Sequence, residues 1–191
     1  MNRLSARTRL GSVVAIAAAA ALIPAAGAGA DPVTGGKTVL KPDVDTFEGF
    51  ADMNMSVGAR GAARDAVKGV VFPIAGGDVG EGPKGSIEHR GGLSFSSNPG
   101  PILKFTKYTV RIGKNKTKLF ARADHSELRF LDLDLSDATI GGSAGSTLKI
   151  KGAEATLAKP AAKLMSEVFD FPLRKGIPMG TINIKATLGV A

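Results

Sequence analysis

The sequence has 191 residues, no cysteine and a formal net charge of +8 at pH 7. The lack of cysteine excludes disulfides, thiolate metal sites and a lipid-modified cysteine anchor. Three of the positive charges are arginines within the first nine residues, so the rest of the chain carries a net charge of +5.

The N-terminal segment has the order of a secretory signal peptide. After the arginines comes an apolar run over residues 13–23, then Pro24, then small residues that end with Ala28-Gly29-Ala30. This order predicts cleavage before Asp31. As a helix the apolar run would reach only about 17 Å, well short of a hydrocarbon core of about 30 Å. We therefore predict a signal peptide over residues 1–30 and one exported domain over residues 31–191, which is secreted, extracellular or associated with the cell wall and does not span the membrane.

Apolar and polar residues alternate through most of the predicted domain, as in strands that have one buried face. The apolar members of the clearest alternating segments are Val70, Phe72, Ile74, Ile87, Leu93, Phe95, Val110, Ile112, Leu131, Leu133, Leu135, Leu148, Ile150, Ile182, Ile184 and Leu188. Clusters of Gly, Pro and Asn separate these segments. Two short helices are predicted among them, one over about residues 43–53 and one that starts at Pro160. The pattern predicts an all-β fold, specifically an antiparallel β-sandwich whose ends are plugged by the two helices.

Several segments together resemble the HtaA-like family of secreted actinobacterial domains, over roughly residues 38–188. The most specific segment is Gly85-Ser86-Ile87-Glu88-His89-Arg90-Gly91-Gly92-Leu93-Ser94-Phe95, and Leu131-Asp132-Leu133-Asp134-Leu135 follows it further along the chain. The resemblance implies a β-rich domain with a role in haem capture at the cell surface. It also places His89 at the family's histidine position, whereas residues 47–55 contain no tyrosine where well-studied members have their iron ligand.

His89 and Tyr108 are the candidate iron ligands. His89 shares its strand face with Ile87, and Tyr108, the only tyrosine, shares its face with Val110. An imidazole that faces an apolar layer can ligate iron through one nitrogen while a backbone carbonyl holds the other. A tyrosinate ligand needs a lowered pKa, which neighbouring cations or ferric iron would provide. The alternatives are a histidine satisfied by hydrogen bonds and an ordinary strand tyrosine.

Lys107 and Arg111 belong to a basic stretch over residues 104–122 and are the candidates for pairing with haem propionates. The same stretch would suit another anionic small molecule or an anionic cell-wall polymer. Alternatively it is a solubilising strand face that prevents edge-to-edge aggregation. Nucleic acid is not expected as a partner of an exported chain that lacks stacking aromatics.

No set of acid, base and nucleophile converges in the sequence, so we predict that the protein is not an enzyme. Asp124, His125 and Ser126 are adjacent in the chain, whereas a catalytic triad needs side chains from separated segments. The predicted function is that of a non-enzymatic HtaA-like domain that binds haem or a similar planar anionic ligand. The alternative is a structural or interaction module of the cell envelope that keeps the scaffold without binding haem.

Overall fold

A computed structural model describes residues 30–80, 84–113, 116–141 and 146–189. The predicted signal peptide lies outside these residues except for Ala30. The strands are β1 (Ala30–Pro42), β2 (Met55–Arg60), β3 (Arg64–Ala66), β4 (Gly69–Gly80), β5 (Lys84–His89), β6 (Gly92–Ser97), β7 (Ile102–Ile112), β8 (Thr117–Ala123), β9 (Ser126–Asp134), β10 (Thr139–Gly141), β11 (Thr147–Leu157) and β12 (Pro178–Leu188), and the helices are α1 (Val44–Asp52) and α2 (Lys159–Phe169). The prediction of an all-β chain with two short helices is confirmed.

The strands form one continuous antiparallel ladder that closes on itself. Eight of them follow the order β7-β5-β4-β1-β12-β11-β9-β8, and β8 pairs again with β7. The predicted sandwich of two separate sheets is therefore replaced by a closed eight-stranded barrel. The physical reason is that β7 is long enough to pair with β5 and β6 on one side and with β8 on the other, which removes the open edges that a sandwich would have.

Two bulges keep apolar side chains inside the barrel along its long strands. In β7 the pairing with β8 shifts between Thr106 and Thr109, and Lys107 adopts a left-handed backbone with φ of 51°. In β11 the pairing shifts after Ile150, next to Gly152 with φ of 77°. Each extra residue reverses the alternation, so that the residues on both sides of the bulge point inward.

The α1 helix packs against β2 and β12, and the α2 helix packs against β9. The α1 helix is capped by Asp43, whose carboxylate accepts a hydrogen bond of 3.0 Å from the backbone nitrogen of Thr46. Its buried residue, Phe50, meets the ring of Phe95 edge-on at 6.1 Å. The α2 helix contacts β9, and the backbone nitrogen of Ala158, just before it, donates to the carbonyl of Phe130. Neither helix of the described residues is long and apolar enough to cross a membrane.

Candidate functional site

His89 lies inside the barrel at the end of β5, where only 5% of its surface is exposed. Its Nδ1 is 3.3 Å from the carbonyl oxygen of Tyr108, and its Nε2 is 2.7 Å from the hydroxyl of Thr38. A carbonyl oxygen can only accept, so Nδ1 carries the proton and donates to it. Nε2 then accepts from the Thr38 hydroxyl. The imidazole is thus held in the tautomer whose electron pair is on Nε2, and the Thr38 hydroxyl occupies that pair. A backbone carbonyl at Nδ1 is also the way in which many metal-binding histidines are oriented.

Burial also fixes the protonation state of this imidazole. Loss of hydration lowers the pKa of His89 from 6.5 to about 4, because a charged ring is disfavoured away from water. Hydrogen bonds to the backbone at Tyr108 and Ile87 oppose the shift only in part. The ring is therefore neutral at physiological pH.

Tyr108 is also inside, with 3% of its surface exposed. Its ring stacks on Phe130 at a centroid distance of 5.6 Å and meets Phe72 edge-on at 5.2 Å. The phenol oxygen is buried and has no hydrogen-bond partner among the described residues. Burial raises the pKa of Tyr108 well above its ordinary range, and the backbone of Leu93 offsets only part of that rise. The phenol is therefore neutral at physiological pH.

A small cavity lies between these polar groups and apolar side chains of the core. The volume of the cavity is about 20 Å³. The polar side chains that line it are those of Thr38, His89 and Tyr108. Its apolar lining consists of Leu40, Phe72, Leu93, Leu119, Phe130, Leu131 and Ile182. That space suits about one water molecule, whereas cofactor pockets typically measure about 300–1,000 Å³. The donor chemistry around His89 fits a metal-bearing macrocycle, but the volume in this structure does not.

Lys107 and Arg111 lie on the outer surface of the same strand. Lys107 is exposed at the bulge of β7. Arg111 donates to Glu127 Oε1 at 2.6 Å, and its guanidinium lies 4.0 Å above the ring of Phe120. The structure thus brings His89 and Tyr108 together but does not bring the two predicted propionate partners to them.

Thr38 is the residue of this site that sequence reasoning missed. It is 3% exposed and lies on the inward face of β1, two residues before the buried Leu40. A hydroxyl at an inward position of an alternating strand is a signal of a buried polar partner. Together with the inward position of His89, this signal predicts a hydrogen bond between the side chains of Thr38 and His89.

A wider surface groove of about 740 Å³ lies beside β8, β9 and β11. Lysine and arginine side chains line it together with the carboxylates of Asp132, Asp134 and Glu154. Neither histidine nor tyrosine lines it. Among the described residues, no three His, Asp or Glu side chains converge in a way that would hold a metal ion.

These features place the chain among closed antiparallel all-β domains with a buried polar site in the core. Comparison with solved structures shows that this chain has the fold of the HtaA domains. The C-terminal domain of HtaA from Corynebacterium glutamicum matches with a TM-score of 0.67 at 18% identity, over 83% of this chain and 99% of that one. The predicted resemblance to the HtaA-like family is confirmed in the fold.

Two further solved structures from the same organism also match the fold of this chain. A domain-swapped dimer of a histidine-to-alanine variant of that domain matches with a TM-score of 0.58 at 18% identity, over 76% of this chain and 92% of that one. The heme binding protein HtaB matches with a TM-score of 0.53 at 11% identity, over 85% of this chain and 97% of that one. No protein-family model matches the sequence, and no curated protein does.

Proposed function

We propose that the chain is an exported, non-enzymatic HtaA-like domain that binds haem or a similar planar anionic ligand. The fold supports this proposal because one of its structural neighbours is described as a heme binding protein. The observation that carries it in this chain is the neutral imidazole of His89, which lines the cavity and whose Nε2 electron pair is held only by the Thr38 hydroxyl, a partner that a ligand would have to displace. Export through residues 1–30 predicts that the mature protein begins at Asp31, which N-terminal sequencing of the secreted form tests.

The small volume of the cavity beside His89 limits how such a ligand can bind there. His89 and Tyr108 are both packed in the core, and the cavity beside them holds about one water. A macrocycle at His89 therefore requires the surrounding side chains to move apart. We expect slow association compared with a protein that has an open pocket, since interiors are close-packed and resist expansion.

A second function is favoured by that same closed interior. Both nitrogens of His89 already have protein partners, so the residue can act as a structural histidine that satisfies Thr38 and the Tyr108 carbonyl. The domain would then be an envelope interaction module that keeps the scaffold without binding haem.

A haemin titration of the mature domain distinguishes the two functions. The first predicts a Soret band that shifts and saturates at one equivalent, and that His89→Ala weakens. His125→Ala is the matched control, because His125 lies in an exposed turn and its removal should leave the spectrum unchanged. Circular dichroism of each variant confirms that it is folded.

Three results would count against parts of this proposal. If wild-type protein gives no saturable band, the interaction module replaces the haem-binding function. If the band saturates but neither His89→Ala nor Tyr108→Phe alters it, the ligand binds elsewhere and the assignment of these two residues is wrong. If His125→Ala weakens binding as much as His89→Ala does, the loss is not specific to the interior site.

A further inference from the structure

Three lysines from distant parts of the chain form a row across the outer surface of the barrel. Lys185 on β12 lies directly opposite Lys37 on β1, and directly opposite Lys149 on β11 on its other side. Neighbouring strands are about 4.8 Å apart, so the row spans about 10 Å. All three side chains are exposed, and Lys151 adds a fourth ammonium on the same face of β11. We call these four residues the lysine face.

The lysine face borders a shallow groove of about 320 Å³. Val39, Ile184 and Asn183 complete its lining, and no carboxylate is present in that lining. The side-chain oxygen of Asn183 accepts a hydrogen bond of 3.0 Å from the backbone nitrogen of Gly152. That bond fixes the orientation of the amide and leaves its NH₂ group as a donor beside the lysines.

Among the residues that the structure describes, no acidic side chain neutralises the positive charge of this face. None of its lysines forms an ion pair within the described parts of the chain. The row continues onto Pro73 of β4 at one end and Gly141 of β10 at the other, so no acid flanks it in the ladder. Like charges at directly opposite positions destabilise a sheet, which makes the arrangement costly unless it has a use.

The basic stretch over residues 104–122 differs from the lysine face because acidic residues lie beside several of its cations. Lys118 lies opposite Asp132, and Arg122 lies opposite Glu127. Arg111 also pairs with Glu127. Carboxylates thus lie beside Arg111, Lys118 and Arg122 of the stretch over residues 104–122, whereas none lies opposite the lysines of the lysine face.

We propose that the lysine face binds a linear polyanion whose charges are phosphate groups. Its cations stand in a line, which matches successive charges along a chain better than a single small anion. All of them are lysines, which bind phosphate as point charges and do not need the two-pronged geometry with which arginine binds a carboxylate or a phosphate. This proposal goes beyond the haem-binding function and uses a different surface.

Two other classes of partner fit the face less well. A lipid surface is bound by basic residues next to exposed apolar side chains, whereas the apolar lining here is the half-buried Val39 and the buried Ile184. Single-stranded nucleic acid is held by stacking on aromatic rings, and no aromatic residue lines the groove.

Fluorescently labelled inorganic polyphosphate is the probe, and anisotropy at a series of salt concentrations is the measurement. The triple variant Lys37→Gln, Lys149→Gln and Lys185→Gln should lose roughly 100-fold in affinity, at about fivefold for each lysine beside an anionic surface. The slope of log K against log salt should become shallower by about 2, since each phosphate contact contributes about 0.7 on a single-stranded polyanion. The haemin titration of this variant should match wild type.

The matched control removes the same charge from the stretch over residues 104–122, as Lys104→Gln, Lys118→Gln and Arg122→Gln. It should retain nearly wild-type affinity for polyphosphate. An equal loss in this control would overturn the proposal, because binding would then follow net charge alone. So would an absence of polyphosphate binding by wild type, or tighter lysine-dependent binding to phosphatidylglycerol vesicles or to single-stranded DNA. Circular dichroism verifies that both triple variants are folded.

Discussion

The buried His89 imidazole makes the stability of the fold depend on pH. Its pKa is about 4 in the folded protein against an ordinary value of 6.5. At about 1.36 kcal/mol for each pKa unit, this difference corresponds to about 3 kcal/mol of stability. Only 5% of the residue is exposed, so solvent screening does not reduce that figure greatly.

The direction follows from which state takes up the proton. Between pH 6.5 and about 4 the unfolded chain binds a proton at His89 and the folded chain does not. Lowering the pH therefore favours unfolding. The full contribution is present above pH 6.5, falls by at most about 1.4 kcal/mol per pH unit, and is gone below the folded-state value.

Urea denaturation of wild type, His89→Gln and His125→Gln from pH 7.5 to pH 4 measures this effect. Wild type and His125→Gln should lose about 3 kcal/mol across the range through His89, whereas His89→Gln should lack that component. Asp134, whose pKa is lowered by hydrogen bonds from Ser136, affects all three proteins alike near the acidic limit. Parallel curves for wild type and His89→Gln would refute a buried neutral imidazole.

Three further predictions concern stability and can be checked by urea midpoints. Tyr108→Phe should leave stability unchanged or raise it by up to about 1 kcal/mol, because it removes a buried hydroxyl that has no hydrogen-bond partner within geometric limits among the described residues; a large loss would show that the hydroxyl is hydrogen-bonded, for example to the backbone of Leu93. Lys185→Gln should raise stability by about 0.5–1 kcal/mol at low salt and by less at high salt, because it relieves two cross-strand like-charge contacts; no gain at low salt would contradict the lysine row. Gly180→Ala should destabilise the fold by more than about 1 kcal/mol, because Gly180 has φ of 121° and a Cβ there would collide with the backbone oxygen of Lys41; wild-type stability in this variant would contradict the close approach of β1 and β12.

Local alternation was a sound guide to which side chains point inward. Leu131 and Leu133 are buried with Asp132 between them on the outer face, as the period of two predicts. His89 and Tyr108 also face the interior as predicted, because each follows the parity of buried neighbours on its own strand.

Closure of the barrel, in contrast, could not be predicted from the alternation of apolar and polar residues. The sequence pattern shows that strands have one buried face, and that is equally true of a sandwich and of a barrel. What decides between them is the second pairing of β7, which joins β8 and completes the ring. The lysine face depends likewise on the register of β1, β12 and β11, which brings together residues from opposite ends of the chain.

The volume of the cavity beside His89 also could not be predicted from the sequence. Residue types identified a histidine, a tyrosine and nearby cations, but volume depends on how rings fill the core. Phe72 and Phe130 pack against Tyr108 and occupy space that a ligand would need. The β7 bulge lets Phe105 and Tyr108 both point inward although they are three residues apart, while Lys107 and Arg111 stay outside.

The most direct test of ligand binding in the core is an NMR titration with gallium protoporphyrin, a diamagnetic analogue of haem. Binding beside His89 predicts that the largest shifts occur at Thr38, Leu93 and the His89 ring, saturating at one equivalent. Small shifts confined to outer-surface residues, or none, would contradict the haem-binding function at this site.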